Sequence, residues 1–241
     1  MTLKAVLFDF NGVIINDEPL HERLIEQLLL EENLTLKPGE YHKVCLGRSD
    51  RVCLQELLAS RGRVVNDTYL TQLLHRKAEG YALELEKIEK LPLYPGLDDL
   101  LSQVRSCSLK LGIVSDAIGK EIEVVLDRTQ LAEYFQVVVA GDDITTSKPE
   151  PDGYLLAVER LNQKYPDLNL QPHECLAIED TPAGIQAAKQ AGMQVVGVAN
   201  TYPFHMLQRC CNWTVDDFTD LELERVQEVF SQKELQRTTG E

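Results

Sequence analysis

The sequence predicts an α/β protein: a parallel, Rossmann-like sheet with helices on both faces and a small helical domain inserted near its start. Three observations carry that expectation. Short apolar runs alternate with helical patterns, which is how parallel sheets covered on both faces are written. The first run, Ala5-Val6-Leu7-Phe8, delivers Asp9 to its C-terminal end, and a Gly-bearing turn follows at once; open α/β sheets present reactive groups at that edge. From about Asp17 to about Lys90 the alternation stops, and only helical periodicity remains.

Taken in order, strands are expected at Lys4–Phe8, Lys110–Ser115, Val137–Ala140, Cys175–Glu179 and Gln194–Val198, with a last short one around Trp213–Val215. Each is a brief apolar run bounded by turn residues. Gly96–Ser106, Lys120–Thr129, Asp152–Lys164 and Ala183–Ala191 read as the helices between them. In the insertion, Leu20, Leu24, Ile25, Leu28 and Leu29 mark one face of a helix beginning near Glu18-Pro19, where proline is tolerated in the first turn. Val52–Ser60 and Asp67–Glu89 continue the helical pattern. Leu91-Pro92-Leu93-Tyr94-Pro95-Gly96 is the return linker, because two prolines cannot sit inside one continuous helix. The organisation expected is a core domain of residues 1–16 and 91–241 and a helical cap of residues 17–90. After about Leu221 the chain is charged, with one helix to about Gln236.

At 241 residues the chain can bury a substantial core. Its 24 basic and 39 acidic residues give a formal charge of −15, which repels nucleic acid and anionic lipid, so neither is expected as a partner. The same charge repels phosphorylated substrates, so a phosphate site would need a local cation, a lysine or helix N-termini. No apolar run is long enough to span a bilayer, and Met1-Thr2-Leu3-Lys4 leads straight into the first strand without room for a signal peptide. A cytoplasmic protein, monomeric or weakly dimeric, is expected. The six cysteines, Cys45, Cys53, Cys107, Cys175, Cys210 and Cys211, show no zinc or CxxC spacing and read as ordinary thiols in a reducing compartment.

Four separated stretches carry chemistry. Phe8-Asp9-Phe10-Asn11-Gly12-Val13 ends the first strand in a carboxylate; by itself this is as well read as a turn cap. Leu111-Gly112-Ile113-Val114-Ser115-Asp116-Ala117 ends a strand in a hydroxyl. Ser147-Lys148-Pro149-Glu150-Pro151-Asp152 holds a lysine between prolines. Ala177-Ile178-Glu179-Asp180-Thr181-Pro182 ends a buried strand in two acids, which is expensive without a cation beside them. A hard, oxygen-seeking Mg²⁺ would satisfy both, while Asp180 or Thr181 also suits the N-cap of the next helix.

Taken in this order, the four stretches resemble the motifs of the haloacid dehalogenase superfamily. The position of the insertion resembles the group that contains phosphoglycolate phosphatases and β-phosphoglucomutases. The resemblance implies that Asp9 is the nucleophile and a Mg²⁺ ligand, and that Asn11 offers its backbone carbonyl to the ion. It implies that Ser115 and Lys148 hold the transferring phosphoryl group, with Asp116 beside it, that Asp180 binds the ion, and that Glu179 acts through water. Val13–His21 looks like a cap entrance, and Leu46-Gly47-Arg48-Ser49-Asp50 resembles the cap loop that meets the substrate. His21 and Arg48 are the specificity candidates, each with an alternative reading as a helix-surface or loop residue.

One letter departs from the superfamily pattern. Its phosphatases carry an aspartate as general acid/base two residues after the nucleophile; here that residue is Asn11. A carboxamide cannot exchange the proton, and losing a general acid/base costs about 10²–10⁴-fold in rate. Three readings follow: a Mg²⁺-dependent phosphatase of a small phosphorylated metabolite, slowed or borrowing another acid such as Asp17 or Asp116; a β-phosphoglucomutase-like phosphotransferase; or a non-catalytic phosphate or metabolite binder. A dehalogenase fits less well, given Glu179-Asp180 and the absence of tyrosine at position 11. A phosphonatase also fits poorly, Lys43 being the cap lysine nearest the loop in sequence.

Overall fold

The computed structural model describes residues 2–238. Its sheet is built from β1 (Ala5–Phe8), β2 (Lys110–Val114), β3 (Val137–Val139), β4 (Cys175–Glu179), β5 (Gln194–Val198) and β6 (Trp213–Val215). The strand order is β3-β2-β1-β4-β5-β6, and every neighbouring pair is parallel. β1 therefore lies centrally, and the chain reverses its direction of travel across the sheet beside it, where α/β sheets open a crevice. All four residues of β1 and all five of β4 are buried, as expected of strands covered on both faces.

The helices are α1 (Glu18–Glu31), α2 (Glu40–Val44), α3 (Asp50–Ala59), α4 (Asp67–Glu86), α5 (Leu97–Ser106), α6 (Gly119–Thr129), α7 (Asp152–Lys164), α8 (Pro182–Gln190), α9 (Phe204–Leu207) and α10 (Leu223–Thr238). Two apolar clusters flank the sheet. One contains Phe8, Leu101, Ile113, Ile178 and Phe230, the other Leu7, Tyr154, Leu161, Ala177 and Val195. α1–α4 follow β1 with no strand between them and enclose a third cluster around Ile25, Leu29, Leu54, Leu57 and Leu73. Leu20, Leu24, Tyr81 and Leu85 belong instead to the cluster over the sheet, so α1 and α4 also pack on the core.

The element ends differ from expectation by small amounts with local causes. α8 begins at Pro182 because Thr181 is its N-cap: the Gly184 N–H donates to Thr181 Oγ1 at 3.1 Å, and proline in the first turn lacks a donor that would be orphaned anyway. α4 stops at Glu86, where the Lys87 N–H closes the last turn on Glu84 O. α2 and α9, of 5 and 4 residues, are too short to show a periodicity. One expectation is overturned. The loop after α2, with Gly47 at φ +72°, turns the chain back so that Cys45 and Cys53 of α3 form a disulfide with Cα atoms 4.7 Å apart, while Cys107, Cys175, Cys210 and Cys211 remain thiols. No helix among the described residues is long and apolar enough to cross a membrane.

Candidate active site

Sheet register assembles the site. Phe8 is level with Ile113 on β2 and Ile178 on β4, so Glu179, the last residue of β4, and Asp9, Ser115 and Asp180, just beyond their strands, emerge together at the carboxyl edge. The Asp9 N–H still donates to Ile178 O at 2.9 Å and the Ser115 N–H to Val139 O at 2.9 Å, which fixes both backbones to the sheet. Gly12, at φ +76°, turns the chain back; a Cβ there would lie 1.9 Å from Asp180 Oδ2. Only glycine lets this turn run so close to the acid. Asn200 Nδ2 donates to Gly12 O at 2.7 Å and holds the turn from the far side.

Lys148, carried on the loop before α7, reaches into the acids. Its Nζ is 2.8 Å from Asp9 Oδ1 and 2.6 Å from Glu179 Oε1. Asp9 Oδ1 also accepts from the Phe10 N–H at 2.7 Å. Glu179 Oε1 accepts a second hydrogen bond, from Tyr154 OH at 2.6 Å. Asp180 differs: its Oδ1 is buried with no hydrogen-bond partner. Burial, followed by the charges of Asp9 and Glu179, raises the Asp180 carboxyl well above the usual range. Burial and Asp9 push Glu179 up to about 7. For Lys148 burial acts in the opposite direction, but the surrounding carboxylates outweigh it and hold the ammonium above its ordinary value.

This arrangement fits a hard cation. Oxygens of Asp9, Glu179 and Asp180 lie within 4.8 Å of one another, all buried, with one oxygen left unpartnered and one lysine to offset three acids. Oxygen-only donors of this kind suit Mg²⁺. Ser115 Oγ accepts from the Ala117 N–H at 3.0 Å, so its own proton is free to be donated. Asp116 accepts from the Lys148 N–H at 3.4 Å, and burial, partly offset by the Lys148 charge, raises its carboxyl to about 6.

Asn11 is tied to Asp17 and to His21 of α1 rather than to the acids at the sheet edge. Its Nδ2 lies 2.9 Å from Asp17 Oδ2 and 3.0 Å from His21 Nε2, which itself is 3.2 Å from Asp17 Oδ2. Tyr81 OH also donates to Asp17. Burial alone would raise Asp17, but the His21 charge and these donors lower it. His21 is thus a buried, hydrogen-bonded residue on α1, not a helix-surface one, and it also lines the cavity.

The cavity above these groups offers about 70 Å³. Asp9, Asn11, Ser115, Asp116, Lys148 and Asp180 line it from the sheet side, His21, Arg48 and Ser49 from the helical side. Ser147 Oγ and Ser49 Oγ join the two sides by a 2.9 Å hydrogen bond. Arg48 is not directed at the acids. Its guanidinium forks onto Glu56 with two 2.7 Å bonds. Glu179 has no exposed surface; it is tied to Lys148, Tyr154 and Thr181.

Two contributors escape a motif reading. Tyr154 follows Lys148 by six residues and reads as an apolar-face residue of α7. Lys77 occupies the buried face of α4 among Leu70, Leu73, Leu74 and Tyr81, and a lysine in that stripe is the signal for a buried cation. Its Nζ contacts Asp50, His21 Nδ1 and, at 3.2 Å, Glu121 of α6. Lys43 is thus nearest the α2–α3 loop in sequence, but Lys77 reaches Asp50 in space.

Comparison with known proteins identifies the family. The haloacid dehalogenase-like hydrolase family model matches residues 6–198. The chain is 30% identical over 232 residues to a β-phosphoglucomutase of Bacillus subtilis, covering 95% of this chain and 96% of that one. It is 29% identical over 205 residues to a phosphorylated carbohydrates phosphatase of Thermotoga maritima, covering 83% and 87%. A solved family IA hydrolase from Entamoeba histolytica superposes with a TM-score of 0.81 at 25% identity, over 95% of this chain and 99% of that one. The chain belongs to the haloacid dehalogenase-like hydrolase family.

Proposed function

We propose that the chain is a Mg²⁺-dependent phosphohydrolase of a small phosphorylated metabolite, working through a phosphoryl group on Asp9 and slowed by Asn11. The observation that carries this reading is Lys148 bridging Asp9 and Glu179 beside the unpartnered oxygen of Asp180. Asp9, Asp180, the Asn11 carbonyl and, through water, Glu179 would hold the ion. When bound, Mg²⁺ supplies positive charge against the phosphoryl oxygens and the attacking carboxylate.

The chain's own residues account for the rest. The Phe10 N–H and Lys148 occupy Oδ1 of Asp9, which leaves Oδ2 to attack phosphorus. Lys148 offsets the charge on the phosphoryl oxygens and Ser115 Oγ–H donates a hydrogen bond to them as the bond to the leaving oxygen breaks. Residues 17–90 act as a cap, closing over the cavity through the Ser49–Ser147 contact and excluding water. The leaving alkoxide needs a proton, and the water that hydrolyses the phospho-Asp9 must lose one. Asn11 supplies neither. Asp17 is poorly suited to help, because three donors stabilise its charged form. Asp116, lining the cavity with a carboxyl at about 6, is better poised.

The named relatives divide between a mutase and a sugar phosphatase. Both half-reactions of a phosphotransferase run through alkoxide groups that need the missing proton exchange, whereas a phosphatase can act on substrates whose leaving group departs without a proton, so hydrolysis is preferred. The test is Asn11→Asp beside the native chain, with Mg²⁺, on p-nitrophenyl phosphate and a panel of sugar phosphates. Turnover is expected to rise by about 10²–10⁴-fold in the variant. Unchanged turnover would show that the proton comes from elsewhere. A native chain that is inert where the variant turns over would point to a binder, and a stable phospho-Asp9 adduct in intact-mass spectra to a stalled enzyme.

A further inference from the structure

The inner cavity is narrow, about 70 Å³. It shares Gly47, Arg48, Ser49, Lys148 and Thr181 with a second, outer groove of about 650 Å³ along the seam between the cap loop and the loops before α7 and α8. If the phosphoryl group sits inside, the remainder of the substrate lies in this groove, a step that rests on the function proposed above. Within a chain of net charge −15, the groove is locally basic: Lys43, Arg48 and Arg51 line it against Glu150. Lys43 has no ion-pair partner among the described residues, and Arg51 is held by a 3.6 Å pair to the exposed Asp67.

Arg48 stands where the two spaces meet, and it is already engaged. Glu56, one turn beyond Val52 on α3, takes both arms of the guanidinium at 2.7 Å, and Val44 O takes a third bond at 3.3 Å. A fork of this geometry is also what a phosphate would use. The pair is substantially solvent-exposed, 38% for Arg48 and 50% for Glu56, so it is weak enough for a ligand to replace.

We infer that Glu56 sets substrate preference: it competes for Arg48 with a phosphate on the non-transferring part of the substrate. Glu56 acts through Arg48 and is a positioning residue. Substrates bearing a second phosphate displace the carboxylate and gain Arg48; those bearing one phosphate leave the pair intact.

Calorimetric binding separates these cases without requiring turnover. With Mg²⁺ present, inorganic phosphate, butyl phosphate and alkanediol bisphosphates of three to six carbons are titrated into the native chain, Glu56→Gln, Arg48→Met and the double variant. Glu56→Gln is expected to tighten the bisphosphates roughly two- to fivefold, the scale of an exposed ion pair, and to leave butyl phosphate unchanged. Arg48→Met weakens the bisphosphates and abolishes the effect of Glu56→Gln. The inference is overturned if Glu56→Gln moves mono- and bisphosphates alike, moves neither, or still acts without Arg48. Absence of inorganic phosphate binding to the native chain refutes the phosphoryl site and this inference together. Phosphate binding without the bisphosphate response refutes this inference alone.

Discussion

The acidic cluster makes a quantitative prediction about metal and stability. Without metal, Asp9, Glu179 and Asp180 crowd one buried site with a single lysine, and Asp180 leaves an oxygen unpartnered. A ligand at 100 times its Kd stabilises the folded state by about 2.7 kcal/mol. For a chain of this size each kcal/mol is worth about 2–4 °C, so saturating Mg²⁺ should raise the native Tm by roughly 5–11 °C. Binding must also displace protons held by the upward-shifted acids, Glu179 at about 7 among them, so the rise should grow between pH 6 and 8. Asp180→Asn removes the main oxygen donor while nearly keeping its shape. Its Mg²⁺-dependent rise should fall below about 1 °C, and its metal-free form should be at least as stable as the native one, because the buried acid is gone. Scanning calorimetry in EDTA and in graded MgCl₂ reads both. An equal Mg²⁺ response in the variant, or a less stable metal-free variant, would refute the assignment of Asp180.

Three further outcomes test the remaining parts. Lys77→Met should cost about 3–5 kcal/mol by leaving Asp50 and the buried Glu121 without their cation; adding Glu121→Gln should recover part of it, as read by urea unfolding. Asp116 has a folded pKa of about 6 against 3.8 unfolded, so the folded state binds the extra proton and pays for losing it as pH rises from 4 through 6. Metal-free Asp116→Asn should therefore match the native chain near pH 4 and exceed it by up to about 3 kcal/mol at pH 7.5; a pH-independent difference would contradict this. Opening the Cys45–Cys53 bridge, by dithiothreitol or Cys53→Ser, should lower stability by about 2–3 kcal/mol, the loop-closure value for so short a ring.

The sheet and the acids were legible because their information is local. A buried strand announces itself as an apolar run, and in a parallel sheet its last residue must reach the carboxyl edge; Asp9, Ser115 and Glu179 could be placed from four short stretches for that reason. The α2–α3 loop was harder to read. Cys45 and Cys53 meet because this loop, with Gly47 at φ +72°, turns the chain back, and the five residues of α2 before it are too few to show a helical period. Arg48 could be assigned to the loop, but not its direction, which depends on Glu56 well inside α3. Lys77 left a trace, a cation in an apolar stripe, but its partners lie 27, 44 and 56 residues away, beyond any spacing rule.

Asn11 shows how a sequence reading changes once neighbours are known. In the chain alone it is a missing proton donor. In the structure its amide is a donor to Asp17, whose other oxygen partners are His21 and Tyr81. Aspartate at position 11 would face the buried Asp17 carboxylate directly, and two acids at that distance, one half-buried and one buried, cannot both ionise without cost. The Asn11→Asp exchange therefore carries a second expectation beyond faster turnover. One of the two acids should take up a proton, and the variant should lose stability as pH rises above the usual carboxylate range. Asn11→Asp combined with Asp17→Asn should keep the gain in turnover and remove that pH-dependent loss. Equal pH profiles for the single and double variants would mean that the two positions are not coupled, and that Asp17 does not account for the amide at position 11.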